Sequence, residues 1–148
     1  MQIKNLDPKQ LPEENEIIQK SYHKEFLILH YNCRSLHNKE LEVIEICEKL
    51  KPSILCLTET WLDQSHGPQA YVPNGYTIIR QDRSHAFKQK YKKVNGGGVA
   101  ILIKQGVKFR KLKNATDPEE SIWIEIKTKT SFIIGVVYKA NYSNNKTQ

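Results

Sequence analysis

Cysteine is scarce in this sequence: Cys33, Cys47 and Cys56 are the whole complement, an odd number with no CxxC pair. A disulfide framework is therefore not expected. Each lies within or beside an apolar stretch, so the three read as reduced core thiols of an intracellular protein. An apolar leader is missing too. The opening Met1-Gln2-Ile3-Lys4-Asn5 has no hydrophobic core of a signal peptide, which makes the glycosylation triplets at Asn114-Ala115-Thr116, Asn141-Tyr142-Ser143 and Asn145-Lys146-Thr147 chance matches. No uninterrupted apolar run approaches bilayer length, so membrane insertion is not expected. Nor is there an internal repeat, a coiled-coil heptad or a low-complexity tract before the polar C-terminal end.

What is present suits one domain: 148 residues, 39% hydrophobic and 26% charged, suffice for a single core. Residues 1–23, with Pro8, Pro12 and the acidic Glu13-Glu14-Asn15-Glu16, read as a flexible arm, 24–142 as an α/β body and 143–148 as a polar tail. Phe26–Tyr31 patterns as a strand. A helix is predicted from Asn38, as N-cap, to Leu50, burying Leu41, Ile44, Cys47 and Leu50 and turning Glu40, Glu42, Glu45 and Glu48 to water, with Pro52 as its stop. Ile54–Thr58, Tyr76–Arg80, Gly98–Ile103 and Val107–Leu112 pattern as further strands. Ile122, Trp123, Ile124 and Ile126, set against Glu125 and Lys127, make Ser121–Thr128 the first arm of a hairpin into Phe132–Tyr138. Gly96-Gly97-Gly98 looks like a phosphate cradle, but a strand pattern follows where a P-loop needs a helix. It reads as a turn into a packed strand.

Charge is uneven. From Arg80 to Lys113 eleven basic residues face the single acid Asp82, a net of about +10 in a chain whose total is +7. Within it, Ser84–Asn95 reads as a basic, mobile loop. Clustered cations suggest a polyanionic partner, because each phosphate contact releases condensed counterions; the bland alternative is a solvated Lys-rich loop. Candidate phosphate contacts are Arg34, Arg80, Arg83, Lys88, Lys90, Lys92 and Lys93. Arg34 can equally be plain surface charge.

The most informative feature is a pair of apolar runs, each ending in a polar residue. Phe26–Tyr31 leads into Asn32, and Ile54–Thr58 leads into Glu59. Separated by one helix, the runs read as parallel neighbours of a β-α-β unit, which places Asn32 and Glu59 side by side at one sheet edge. A carboxylate and an amide there can hold a divalent cation or order a phosphate. Against this, Glu59 could be a strand-end carboxylate in water and Asn32 a turn cap. Tyr138 closes the run Phe132–Val137, either as a hydrogen-bond donor to a phosphoryl oxygen or as an amphipathic plug. His30 reads as a satisfied core histidine rather than a catalyst.

The ordered set Tyr31-Asn32-Cys33-Arg34-Ser35-Leu36, Leu57-Thr58-Glu59-Thr60-Trp61-Leu62, Gly96-Gly97-Gly98-Val99-Ala100-Ile101 and Gly135-Val136-Val137-Tyr138 resembles the endonuclease/exonuclease/phosphatase superfamily, most of all the endonuclease domain of non-LTR retrotransposons. The resemblance implies an α/β fold, a β-sandwich flanked by helices. It makes Glu59, aided by Asn32, the ligand of Mg2+ or Mn2+, with Asn32, Glu59 and Tyr138 as catalytic residues. It implies nicking of DNA by metal-assisted hydrolysis, a nuclear place of action on genomic DNA and a downstream reverse transcriptase region as partner. Arg34 departs from many relatives, which carry Asn or Asp there. The family's later Asp-x-Asn and Asp-His pairs have no match here, so the chain is expected to be a domain truncated after its first half and inactive alone. The alternatives are a non-catalytic nucleic-acid-binding remnant and a phosphatase of the same fold.

Overall fold

The run Ile54-Leu55-Cys56-Leu57-Thr58 has no polar face, so a strand built from it needs cover on both sides. The computed structural model, which describes residues 1–7, 25–91, 96–113 and 120–139, supplies that cover. Strands β1 (Gln2–Asn5), β2 (Leu27–Asn32), β3 (Ile54–Thr58), β4 (Tyr76–Gln81) and β5 (Val99–Lys104) form a sheet in the order β1-β2-β3-β5-β4. The first three are parallel, and β5 runs antiparallel to β3 and β4. A second, antiparallel sheet orders β6 (Phe109–Leu112), β7 (Ser121–Ile126) and β8 (Phe132–Val137) in sequence. Helix α1 (Glu40–Leu50) follows a 3-10 turn at His37–Lys39, and a short helix α2 (His85–Tyr91) follows β4. This is the expected α/β sandwich.

Alternation along the central strands divides the core in two. Leu29, Tyr31, Leu55, Leu57 and Leu102 pack with Val43, Ile46 and Cys47 of α1, while Ile28, Ile54, Cys56, Ile101 and Ile103 pack with Ile122, Ile124 and Ile126 of the second sheet. Each buried Leu or Ile contributes about 1.5–3 kcal/mol of transfer free energy. A one-residue slip would exchange the two faces of a strand, so the register is held by these side chains. That register carries the polar strand ends to their places. All three cysteines are free and buried, as expected, and burial pushes the Cys56 thiol up to about 12. No helix among the described residues is long and apolar enough to cross a membrane.

Six expectations need correction. The N-terminal arm begins as a strand: β1 pairs in parallel with β2, and Leu6 N donates to the His30 carbonyl at 2.8 Å. Its four residues are all exposed, so it carries no apolar pattern to read. The arm's residues 8–23 lie outside the described residues. Helix α1 buries Val43, Ile46 and Cys47, leaving Leu41 80% exposed and Ile44 partly so. Residues spaced strictly three apart drift around a 3.6-residue turn, whereas 43, 46, 47 and 50 keep one face. Lys39, not Asn38, occupies the N-cap, and Glu42 takes hydrogen bonds from Tyr31 Oη (2.6 Å) and Lys39 Nζ (2.9 Å) instead of facing only water. The Ser84–Asn95 loop contains α2, with 92–95 outside the described residues. Finally, Trp123 lies on the opposite face of β7 from the buried Ile122, Ile124 and Ile126, half-buried on the same side as Glu125.

Candidate active site

Asn32 closes β2 opposite Thr58 of β3, and the next residue is Glu59. The pairing continues past the strands: Cys33 N donates to the Thr58 carbonyl (3.0 Å), Ser35 N to Glu59 (2.9 Å) and Leu36 N to Thr60 (2.9 Å). Opposite, the turn before β5 receives Thr60 N on the Gly98 carbonyl (3.2 Å) and Trp61 N on the Gly97 carbonyl (3.0 Å). Held from both sides, the loop keeps Glu59 at φ 55° and Trp61 at φ 57°, a left-handed conformation that non-glycine residues seldom adopt. Such backbone persists where surrounding bonds over-determine it, and it clusters at functional sites.

Three side chains from three strand ends meet here. Tyr138 Oη donates to Glu59 Oε1 at 2.9 Å, and Asn32 Nδ2 donates to the same oxygen at 3.4 Å. Glu59 Oε2 takes no hydrogen bond from the described residues. Asn32 is exposed and Glu59 half-exposed, so the carboxylate is open to a ligand. Burial, and then the hydrogen bond and charge of Glu59, push the Tyr138 phenol up to about 12, keeping it a proton-bearing donor across the neutral range. The available donors are oxygens: the carboxylate, the Asn32 amide and the phenol. That set suits Mg2+ or Mn2+, which take one or two protein carboxylates and complete their shell with water and phosphate oxygen. Among the described residues no group of three His, Cys, Asp or Glu side chains gathers to hold a metal.

The turn is fitted closely around a second carboxylate. Gly97 (φ 71°) and Gly98 (φ 83°) have no space for a side chain: a Cβ at Gly97 would strike Glu120 Oε1 and the Arg83 guanidinium, and one at Gly98 would strike Thr60 Oγ1. Glu120 accepts from Arg83 Nε (2.7 Å), Arg83 Nη2 (3.0 Å) and Gly98 N (2.9 Å). Its carbonyl takes Tyr138 N at 3.0 Å. The triglycine therefore turns into a packed strand, as its pattern implies.

The expected phosphate contacts are dispersed. Arg34 is exposed at φ 42° just past Asn32. Arg80 is engaged with the Asp63, His66 and Gly67 carbonyls and with Asp82. Arg83 is turned inward, its side chain 3% exposed against Glu120, so it does not present a guanidinium to solvent. Lys88 in α2 lies 4.0 Å from Asp63 Oδ2. The Lys90 side chain, Lys92 and Lys93 lie outside the described residues. His30 is half-buried and engaged by Asn5 Oδ1 (3.0 Å) and Thr58 Oγ1 (3.2 Å), with burial lowering its pKa, consistent with a satisfied histidine. Glu120 is the residue that sequence reasoning misses: its partner lies 37 residues away, and no local pattern announces such a pair.

Several solved structures are similar to this chain. An AP endonuclease from Leishmania major has the same fold, at 19% identity and a TM-score of 0.59 over 77% of this chain and 40% of that one. An AP endonuclease from Archaeoglobus fulgidus matches at 25% identity and a TM-score of 0.45, covering 68% of this chain and 36% of that one. A 3′ phosphatase from Neisseria bound to a product DNA hairpin matches at 24% identity and a TM-score of 0.47, covering 72% of this chain and 39% of that one. The chain thus spans well under half the length of these structures. No curated protein matches it significantly. The Endonuclease/Exonuclease/phosphatase family model matches residues 29–139, from β2 to just beyond Tyr138, and the chain belongs to that family.

Proposed function

We propose that this chain is the N-terminal part of a Mg2+-dependent endonuclease domain that nicks DNA, of the kind carried by non-LTR retrotransposons and acting in the nucleus beside a reverse transcriptase region. The observation that carries this reading is the meeting of Asn32, Glu59 and Tyr138 on one carboxylate oxygen. Glu59 and Asn32 would hold the cation, which when bound supplies Lewis-acid polarisation of a phosphoryl oxygen. Tyr138, protonated and aimed at the carboxylate, can donate to a non-bridging oxygen as negative charge develops there. Asn32 fixes the carboxylate and can orient the phosphate or the attacking water. The retrotransposon assignment is supported by the order of the four motifs along the sequence.

In-line hydrolysis also requires a group that takes a proton from water, and among the described residues only Asn32 and Tyr138 hydrogen-bond to the Glu59 carboxylate. The purified chain is therefore expected to bind the cation and DNA but not to nick supercoiled plasmid, with cleavage appearing when the remainder of a family domain is joined to it. Non-catalytic nucleic-acid binding is the second reading, and the same gap in the site favours it for the isolated chain. Titration with Mn2+ as a paramagnetic probe tests the assignment directly: nuclear magnetic resonance signals around residue 59 should broaden, and Glu59→Gln should abolish the effect. Equal broadening in both proteins would sink the ligand assignment.

A further inference from the structure

We propose that Arg83 and Glu120 are positioning residues for the candidate site: a buried ion pair that joins the two sheets and sets the Glu59 loop against Tyr138. Arg83 follows β4 of the large sheet and Glu120 precedes β7 of the small one. Their side chains are 3% and 5% exposed, and the guanidinium bonds both carboxylate oxygens, at 2.7 and 3.0 Å. From Glu120 two connections run to the site. Its Oε1 holds Gly98 N at 2.9 Å, and the carbonyls of Gly98 and Gly97 hold Thr60 and Trp61, the two residues that follow Glu59. Its own carbonyl holds the backbone of Tyr138 at 3.0 Å.

One residue thus fixes both partners of the 2.9 Å Tyr138–Glu59 hydrogen bond, which reach the site from different sheets. A buried ion pair is a poor way to gain stability, because desolvation offsets most of its attraction. What it does supply is geometry. The fork of Arg83 fixes the plane of the carboxylate, and a carboxylate in that plane fixes the turn. The glycines agree with this, since only residues without Cβ let the turn close over the pair.

The test is hydrogen exchange on the whole chain, comparing the wild type with the double variant Arg83→Met/Glu120→Gln, which leaves no lone buried charge. Exchange at the Thr60, Trp61 and Tyr138 amides should accelerate by about tenfold or more while the amides of β3 and β5 keep their protection, the pattern of local rather than global opening. Mn2+ broadening at the Asn32 side-chain amide should weaken in parallel. Should the double variant not fold, Arg83→Lys, which keeps the charge and loses the fork, is read in the same way. Uniform acceleration across the core would mean that the pair merely stabilises the fold, and unchanged exchange at the three amides would mean that it positions nothing; either overturns the proposal. The link to the cation rests on the function proposed above, but the exchange measurement needs no metal. A wild-type chain without Mn2+ broadening would therefore sink that function and leave the brace to be judged on exchange alone.

Discussion

The end of β3 and the basic segment that begins at Arg80 meet solvent in opposite ways. At β3 an apolar strand, covered on both faces, delivers one carboxylate to the surface at a defined point, and neighbours from β2 and β8 converge on it. Along the basic segment, residues close together in the sequence take unrelated tasks. Arg80 ties down the 63–67 loop, Arg83 is buried between sheets, and Arg110 pairs with Glu125 on the surface. A polar residue at the end of an apolar run is therefore the sharper functional signal, because packing dictates where it emerges. A run of positive charge dictates no common face.

The largest expected effect concerns the strand end. In a domain completed by a family C-terminal part, Glu59→Gln should lower plasmid nicking by about 10²–10⁴-fold, and Tyr138→Phe by about 10²-fold, as for loss of charge-stabilising or donor groups elsewhere. Agarose-gel conversion of supercoiled to relaxed plasmid measures both. Near-native nicking by the Glu59 variant would reduce the three-residue convergence to a structural coincidence.

Next in size is a stability contrast within the basic segment itself. Arg83→Ala leaves Glu120 buried and unpaired, which costs about 3–5 kcal/mol. That is a large part of the roughly 5–15 kcal/mol that holds a domain together, so the urea midpoint should fall steeply. Arg110→Ala removes a surface contact, its side chain 65% exposed, and should leave the midpoint unmoved. Equal shifts for the two arginines would erase the distinction drawn between them.

Several of these features are legible in the amino-acid sequence. The parallel pairing of β2 with β3 follows from two apolar runs joined by one helix, and it alone brings Asn32 beside Glu59. Tyr138 is recognisable only as the polar end of an apolar run, since its approach to Glu59 spans 79 residues and two sheets. The Arg83–Glu120 pair leaves no trace, because each residue sits in a locally polar stretch and only tertiary packing buries them together. β1 is hidden for the opposite reason: it is held by backbone hydrogen bonds at an exposed edge and needs no apolar pattern. The buried face of α1 is readable from Val43, Ile46 and Cys47, provided the 3.6-residue period is applied rather than a spacing of three.

The smallest effect bears on whether the basic segment has a common purpose after all. Replacing Lys88, Lys90, Lys92 and Lys93 with Gln should weaken DNA binding and flatten its salt dependence, since each lost phosphate contact lowers the slope of log affinity against log salt by roughly 0.9 on duplex DNA. Arg83→Met, made together with Glu120→Gln to avoid a lone charge, is the matched control. It removes a cation from the same stretch of sequence, but one that is buried and paired, so its slope should equal that of the wild type. Fluorescence anisotropy of a labelled duplex across a salt series measures both. A lysine variant with an unchanged slope would mean that these residues are a solvated surface. A flattened slope in the Arg83 variant would mean that the guanidinium leaves Glu120 to meet DNA, which would contradict the inward placement on which the contrast between the two regions depends.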